Sequence, residues 1–138
     1  MPMLGGPQTD YLTSLVTLNL GQIAINDLTT TNNLTLIGTL TAENTALTTA
    51  NVGLVANNVT IGEIILNLII PDPSQIAYLT SVSVANDAAI TANNVIIGNN
   101  DALITTLTDQ NAALAAESSA LTADNVILEA IIAEVAPN

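Results

Sequence analysis

The chain has 138 residues, no Lys, Arg, His or Cys, and 12 carboxylates as its only side-chain charges, for a net charge of −12. This excludes binding to nucleic acid or anionic lipid, which needs a cationic footprint, and with it side-chain salt bridges, disulfides, thiolate metal sites and catalysis by histidine, cysteine or lysine. The chain is 49 % hydrophobic, too apolar for a disordered polyanion, yet aromatics are 1 %, so the large side chains of an ordinary globular core are missing.

In chain order, residues 1–10 read as an N-terminal tail. It has neither the basic region nor the continuous apolar stretch of a signal peptide. At Tyr11 a pattern begins that recurs: YLTS at 11–14 returns at 78–81, and residues 11–71 laid on 78–138 give 23 identities in 61 pairs. With 19 Thr and 17 Asn, some matches are low-complexity coincidence. Coincidence does not place them on a seven-residue grid, so the chain is a tandem duplication.

The first repeat spans 11–70. Its first seam position, a, holds Val16, Ile23, Thr30, Ile37, Asn44, Asn51, Asn58 and Ile65. Its second, d, holds Asn19, Asn26, Asn33, Leu40, Leu47, Leu54, Ile61 and Leu68. Residues 71–77 form a proline break, because Pro71 and Pro73 lack an amide donor and disfavour helix before them. The second repeat spans 78–136, with Ser83, Ile90, Ile97, Ile104, Asn111, Ser118, Asn125 and Ile132 at a. Its d positions hold Asn86, Asn93, Asn100, Leu107, Leu114, Leu121, Leu128 and Val135, and residues 137–138 are a tail.

Eight unbroken heptads per repeat predict an all-α coiled coil, left-handed because the period is kept at seven. Each repeat would extend about 90 Å at about 1.5 Å per residue. The expected oligomer seam is Ile23, Ile37, Leu40, Leu47, Leu54, Ile65, Ile90, Ile97, Ile104, Leu107, Leu114, Leu121, Leu128 and Ile132. Asparagine inside it is costly unless hydrogen-bonded, so Asn44, Asn51, Asn58, Asn111 and Asn125 read as register-setting residues. An antiparallel arrangement is expected to set Asn against Ile or Leu. The expected architecture is therefore parallel and fibrous.

The Ile-x-x-Asn motif in ITANNVIIGNN, residues 90–100, resembles the stalks of trimeric autotransporter adhesins. The likeness covers about 40 residues of the 138 and concerns architecture. It implies a parallel homotrimer in which Asn19, Asn26, Asn33, Asn86, Asn93 and Asn100 form axial rings able to hold a chloride-like anion. Register-setting without an anion is the plainer reading of those rings. The secretion signal and C-terminal membrane-anchor barrel of that family are not read in this sequence.

A β-solenoid is the alternative. Val, Ile, Thr, Asn and Gly are middling or poor helix formers, and NNLTLIG at 32–38, NNVTIG at 57–62 and NNVIIG at 93–98 look locally like strands ended by turns. These stretches begin 25 and 36 residues apart, so they define no constant coil length.

Little chemistry is expected. Glu129 with Glu134, and Asp101 with Asp109, fall on the solvated face by the grid. No phosphate loop, calcium loop or metal-ligand set occurs. The apolar run Ile61 to Ile70 is too short to span a bilayer and is interrupted by Gly62, Glu63 and Asn67. Ile64, Leu66 and Ile69 lie off the seam, which predicts a further contact. The expected role is a structural subunit of a fibre, a surface appendage of a cell, spore or virion, and not an enzyme. Its partner is itself, with no nucleic acid, membrane insertion or small-molecule substrate, and its expected location is extracellular or on a particle surface. The second expectation is a Thr/Asn-rich β-solenoid surface of adhesive or ice-binding type.

Overall fold

A computed structural model describes residues 6–135; the start of the expected N-terminal tail and the tail at 137–138 lie outside them. Two helices account for almost all of the described residues, α1 at Gly6–Leu66 and α2 at Pro73–Val135. No strand occurs among them, so the class is all-α and the β-solenoid alternative is overturned. The stretches 32–38, 57–62 and 93–98 all lie within helix.

The reason lies in how the polar side chains are satisfied. Threonine competes with helix when its hydroxyl seeks backbone partners elsewhere. Here hydroxyls turn back onto the carbonyl one turn earlier: Thr41 Oγ1 donates to the Ile37 carbonyl at 2.8 Å, Thr45 to that of Thr41 at 3.0 Å and Thr49 to that of Thr45 at 3.0 Å. The duplication is visible at this level too. Ser14 Oγ donates to the Tyr11 carbonyl and Ser81 Oγ to the Tyr78 carbonyl, each at 2.6 Å.

The interruption between the helices lies at 67–72, earlier than the proline break expected at 71–77, so residues 67–70 of the expected first repeat fall outside helix. Residues 73–77 are helical because Asp72 caps α2: its Oδ1 accepts from the Ser74 amide at 2.8 Å, and Pro73 takes the first-turn position where no donor is needed. Pro7 stands likewise in the first turn of α1, so residues 6–10 of the expected tail are helix. At the other end of α1, the Asn67 amide donates to the Glu63 carbonyl at 3.0 Å and its Nδ2 to the same oxygen at 2.9 Å. Pro71 follows, and the turn is made.

The two helices pack together and divide into two compact units. One joins the chain up to Leu36 with the chain from Thr106 onward, and the other is Ile37–Thr105. Within each unit α1 and α2 run antiparallel. Every a and d position of the heptad grid is buried or half-buried. The buried apolar set is nevertheless thin: Val16, Leu107 and Val135 in the first unit, Leu40 and Ile61 in the second.

Candidate functional site: paired asparagine layers

The asparagines of the seam meet one another across the two helices. In the second unit, Asn100 Nδ2 donates to Asn44 Oδ1 at 2.9 Å, Asn93 to Asn51 at 2.8 Å and Asn86 to Asn58 at 2.9 Å. In the first unit, Asn19 donates to Asn125 Oδ1 at 2.8 Å and Asn33 to Asn111 Oδ1 at 2.8 Å. Asn26 donates to Ser118 Oγ at 3.2 Å, since the second repeat has serine where the first has Asn51. Within each unit a step of seven up α1 is a step of seven down α2.

This corrects the expectation that antiparallel pairing sets Asn against Ile or Leu. In each repeat asparagine occupies d in the N-terminal half and a in the C-terminal half, so the pattern is a mirror image about the repeat centre. Antiparallel packing brings d of one helix against a of the other, and the mirror then makes every seam asparagine meet a polar residue. The structure places Asn44, Asn51, Asn58, Asn111 and Asn125 in these layers as acceptors within one chain. The same register places Leu47 opposite Ile97 and Leu54 opposite Ile90.

Each layer follows one donor rule. The d asparagine donates to the a residue and, in three layers, also to the residue just before it: Asn100 to Glu43 Oε2 at 3.1 Å, Asn26 to Glu117 Oε2 at 3.1 Å and Asn33 to Gln110 Oε1 at 3.0 Å. In the second unit the a asparagine donates to the residue just after its d partner. Asn44 gives to Asp101 Oδ1 at 2.8 Å, Asn51 to Asn94 Oδ1 at 2.9 Å and Asn58 to Asp87 Oδ1 at 2.7 Å. Carboxylates thus flank the seam as acceptors for amides. A conventional coil would put Lys–Glu pairs at those flanks.

In the first unit Asn111 and Asn125 lack that acceptor, since Leu34 and Leu20 follow their partners Asn33 and Asn19. Asn125 is 6 % exposed and its Nδ2 has no acceptor. The residue after Asn19, where the rule places an acceptor, is Leu20.

Asn26 is the most buried polar residue, at 2 % exposure, and its Oδ1 also accepts from Gln22 Nε2 at 2.9 Å. Both Nδ2 hydrogens of Asn26, Asn33 and Asn100 are given to side-chain oxygens. Sequence reasoning missed the flanking acceptors Glu43, Asp87, Asp101 and Glu117. Their signal was present: each adjoins a seam asparagine or serine in sequence. Among the described residues no group of three or more acidic side chains could hold a metal ion, and no helix is long and apolar enough to cross a membrane.

Comparison with protein-family models, curated proteins and solved structures gives no match. Each pair joins one residue of α1 to one residue of α2 by a side-chain hydrogen bond.

Proposed function

We propose that the protein is a structural subunit that joins copies of itself into a fibre or filament. The observation that carries this is surface. The chain exposes 9120 Å², against about 6,700 Å² expected of a compact monomer of its mass. Aliphatic side chains contribute to that surface: Leu20, Leu28, Leu34, Val52, Ile70 and Val84 are each more than half exposed. Single exposed leucines are ordinary, but this density marks surface that a further contact covers.

A surface appendage of a cell, spore or virion suits such a subunit. Lacking Lys and Arg, the chain offers trypsin-like proteases no cleavage site. The paired layers would supply what a fibre subunit needs before assembly, a fixed register. The number of copies, three by the adhesin resemblance, is read directly from the mass.

Light scattering and negative-stain electron microscopy over a range of concentrations test this. The expected result is a mass of several times 14.1 kDa, with extended particles on the grid. A mass that stays at one chain at every concentration, with no fibres, refutes it.

A further inference from the structure

The flanking acceptors of the seam are shared unevenly between the helices. After its d asparagines α2 carries Asp87, Asn94 and Asp101, and before its polar a residues Gln110, Glu117 and Asp124. At the matching places α1 has Leu20, Leu34 and Ala50. Asn125, set against Asn19 and followed across the seam by Leu20, is therefore left with a buried Nδ2 that has no acceptor. The side chain that suits it stands on its own helix: Asp87, next to Asn86.

We propose that the seams exchange partners between copies of the chain, α2 pairing antiparallel with α2 of a second copy and α1 with α1. The inference rests on the self-assembly reading and supplies its joint. The mirror within each repeat selects the occupant. Laid antiparallel on its own copy with d against a, α2 sets Asn86 against Asn125, Asn93 against Ser118 and Asn100 against Asn111. Leu107 then meets Ile104, and Leu114 meets Ile97. Asp87 falls beside Asn125 and Asp101 beside Asn111, the relation those carboxylates have to Asn58 and Asn44 in the hairpin. α1 on its copy likewise sets Asn19 against Asn58, Asn26 against Asn51 and Asn33 against Asn44. A slip of one heptad in the α2 pair would put Asn100 against Ile104, an amide buried without a partner. Exchange leaves as many seam asparagines on polar residues as two hairpins do, so concentration decides between them. Only the turn at 67–72 has to open, and its Ile69 and Ile70 are 97 and 82 % exposed, so little apolar burial is given up there. Two self-complementary seams on one chain, each joining a different neighbour, extend as a filament.

The chain has no cysteine, so introduced thiols report cleanly. Ile61→Cys with Ser83→Cys places a pair in the layer next to Asn58–Asn86, where a disulfide locks the hairpin and reduction frees it. Each form is refolded from urea over a range of concentrations and its mass read by analytical ultracentrifugation. Wild type and the reduced variant are expected at two or more chain masses as concentration rises, and the oxidised variant at one. Spin labels on single cysteines identify the partner helix. Labels at Thr105→Cys of two copies should come within about 20 Å, since they face each other across helices about 10 Å apart. Labels at Thr122→Cys should stand about 50 Å apart along the same pair. An oxidised variant that associates as the reduced one does overturns the exchange, and self-assembly then stands on outer surfaces. Association without any Thr105 label pair inside about 20 Å overturns the pairing of α2 with α2. If wild type stays at one chain mass throughout, the self-assembly reading fails and the exchange with it.

Discussion

Asn125 shows how closely the layers depend on single residues. Its carbonyl accepts from Asn19, but its buried Nδ2 has no acceptor, whereas Asn44, Asn51 and Asn58 each find one on the residue after their partner. An unsatisfied buried donor costs about 1–3 kcal/mol. Leu20→Asn places an amide oxygen where Asn94 stands in the equivalent layer. Leu20 is 55 % exposed, so little apolar burial is lost. The expected gain is about 1 kcal/mol, seen as a higher urea midpoint at unchanged slope, and Leu20→Ala should give none. Equal midpoints for the Asn and Ala variants would mean that water already satisfies Asn125.

At the level of the helices, the sequence holds both the stabilising pattern and the features that weaken it. Gly38 and Gly98 lie in helix interiors, neither has positive φ, and a Cβ added at either meets nothing within 4 Å. Glycine there costs about 0.5–1 kcal/mol relative to alanine. Gly38→Ala and Gly98→Ala should therefore each raise stability by about that much, additively since they are independent sites, as measured by thermal melts. A loss at either would show that the glycine is kept for a close contact with another copy. The period of the fold was legible, because burial follows Ile23, Leu47, Ile97 and their grid-mates at every seventh residue. Direction was not, because the mirror arrangement of Asn19, Asn26 and Asn33 against Asn44, Asn51 and Asn58 is satisfied by antiparallel packing as well as by parallel rings. Helix end points were missed where local caps decide them: Asp72 starts α2 inside the expected break. Strand-like composition at 32–38 and 93–98 supported only the β-solenoid alternative, because propensity omits the hydroxyl bonds to the preceding turn and the amide pairs of the seam. Of the candidate site, the asparagines were legible and their carboxylate acceptors were not, since an acidic residue beside a seam usually signals a cation across from it.

For the molecule as a whole, the decisive quantity is −12 with nothing to offset it. Some carboxylates, such as Asp87 and Asp101, accept short hydrogen bonds from asparagine amides. These bonds act at contact distance and salt screens them little. The remaining interaction among the 12 carboxylates is repulsion over longer distances, and it is stronger in the folded state, where the charges are held closer than in an extended chain. The Debye length falls from about 30 Å at 0.01 M salt to about 10 Å at 0.1 M. Folding should therefore be stabilised as salt rises, with the melting temperature climbing by several degrees and levelling off above about 0.3 M, once the screening length is comparable with neighbour spacing. A coil held by Glu–Lys pairs responds in the opposite sense, because salt weakens those attractions. Melting curves in NaCl and in choline chloride separate screening from ion-specific effects, since both salts must give the same rise. A melting temperature that falls with salt would mean that attractive electrostatics of the helix ends and amide–carboxylate bonds outweigh the repulsion. Self-association should follow the same dependence, because each added copy brings another 12 negative charges to the assembly.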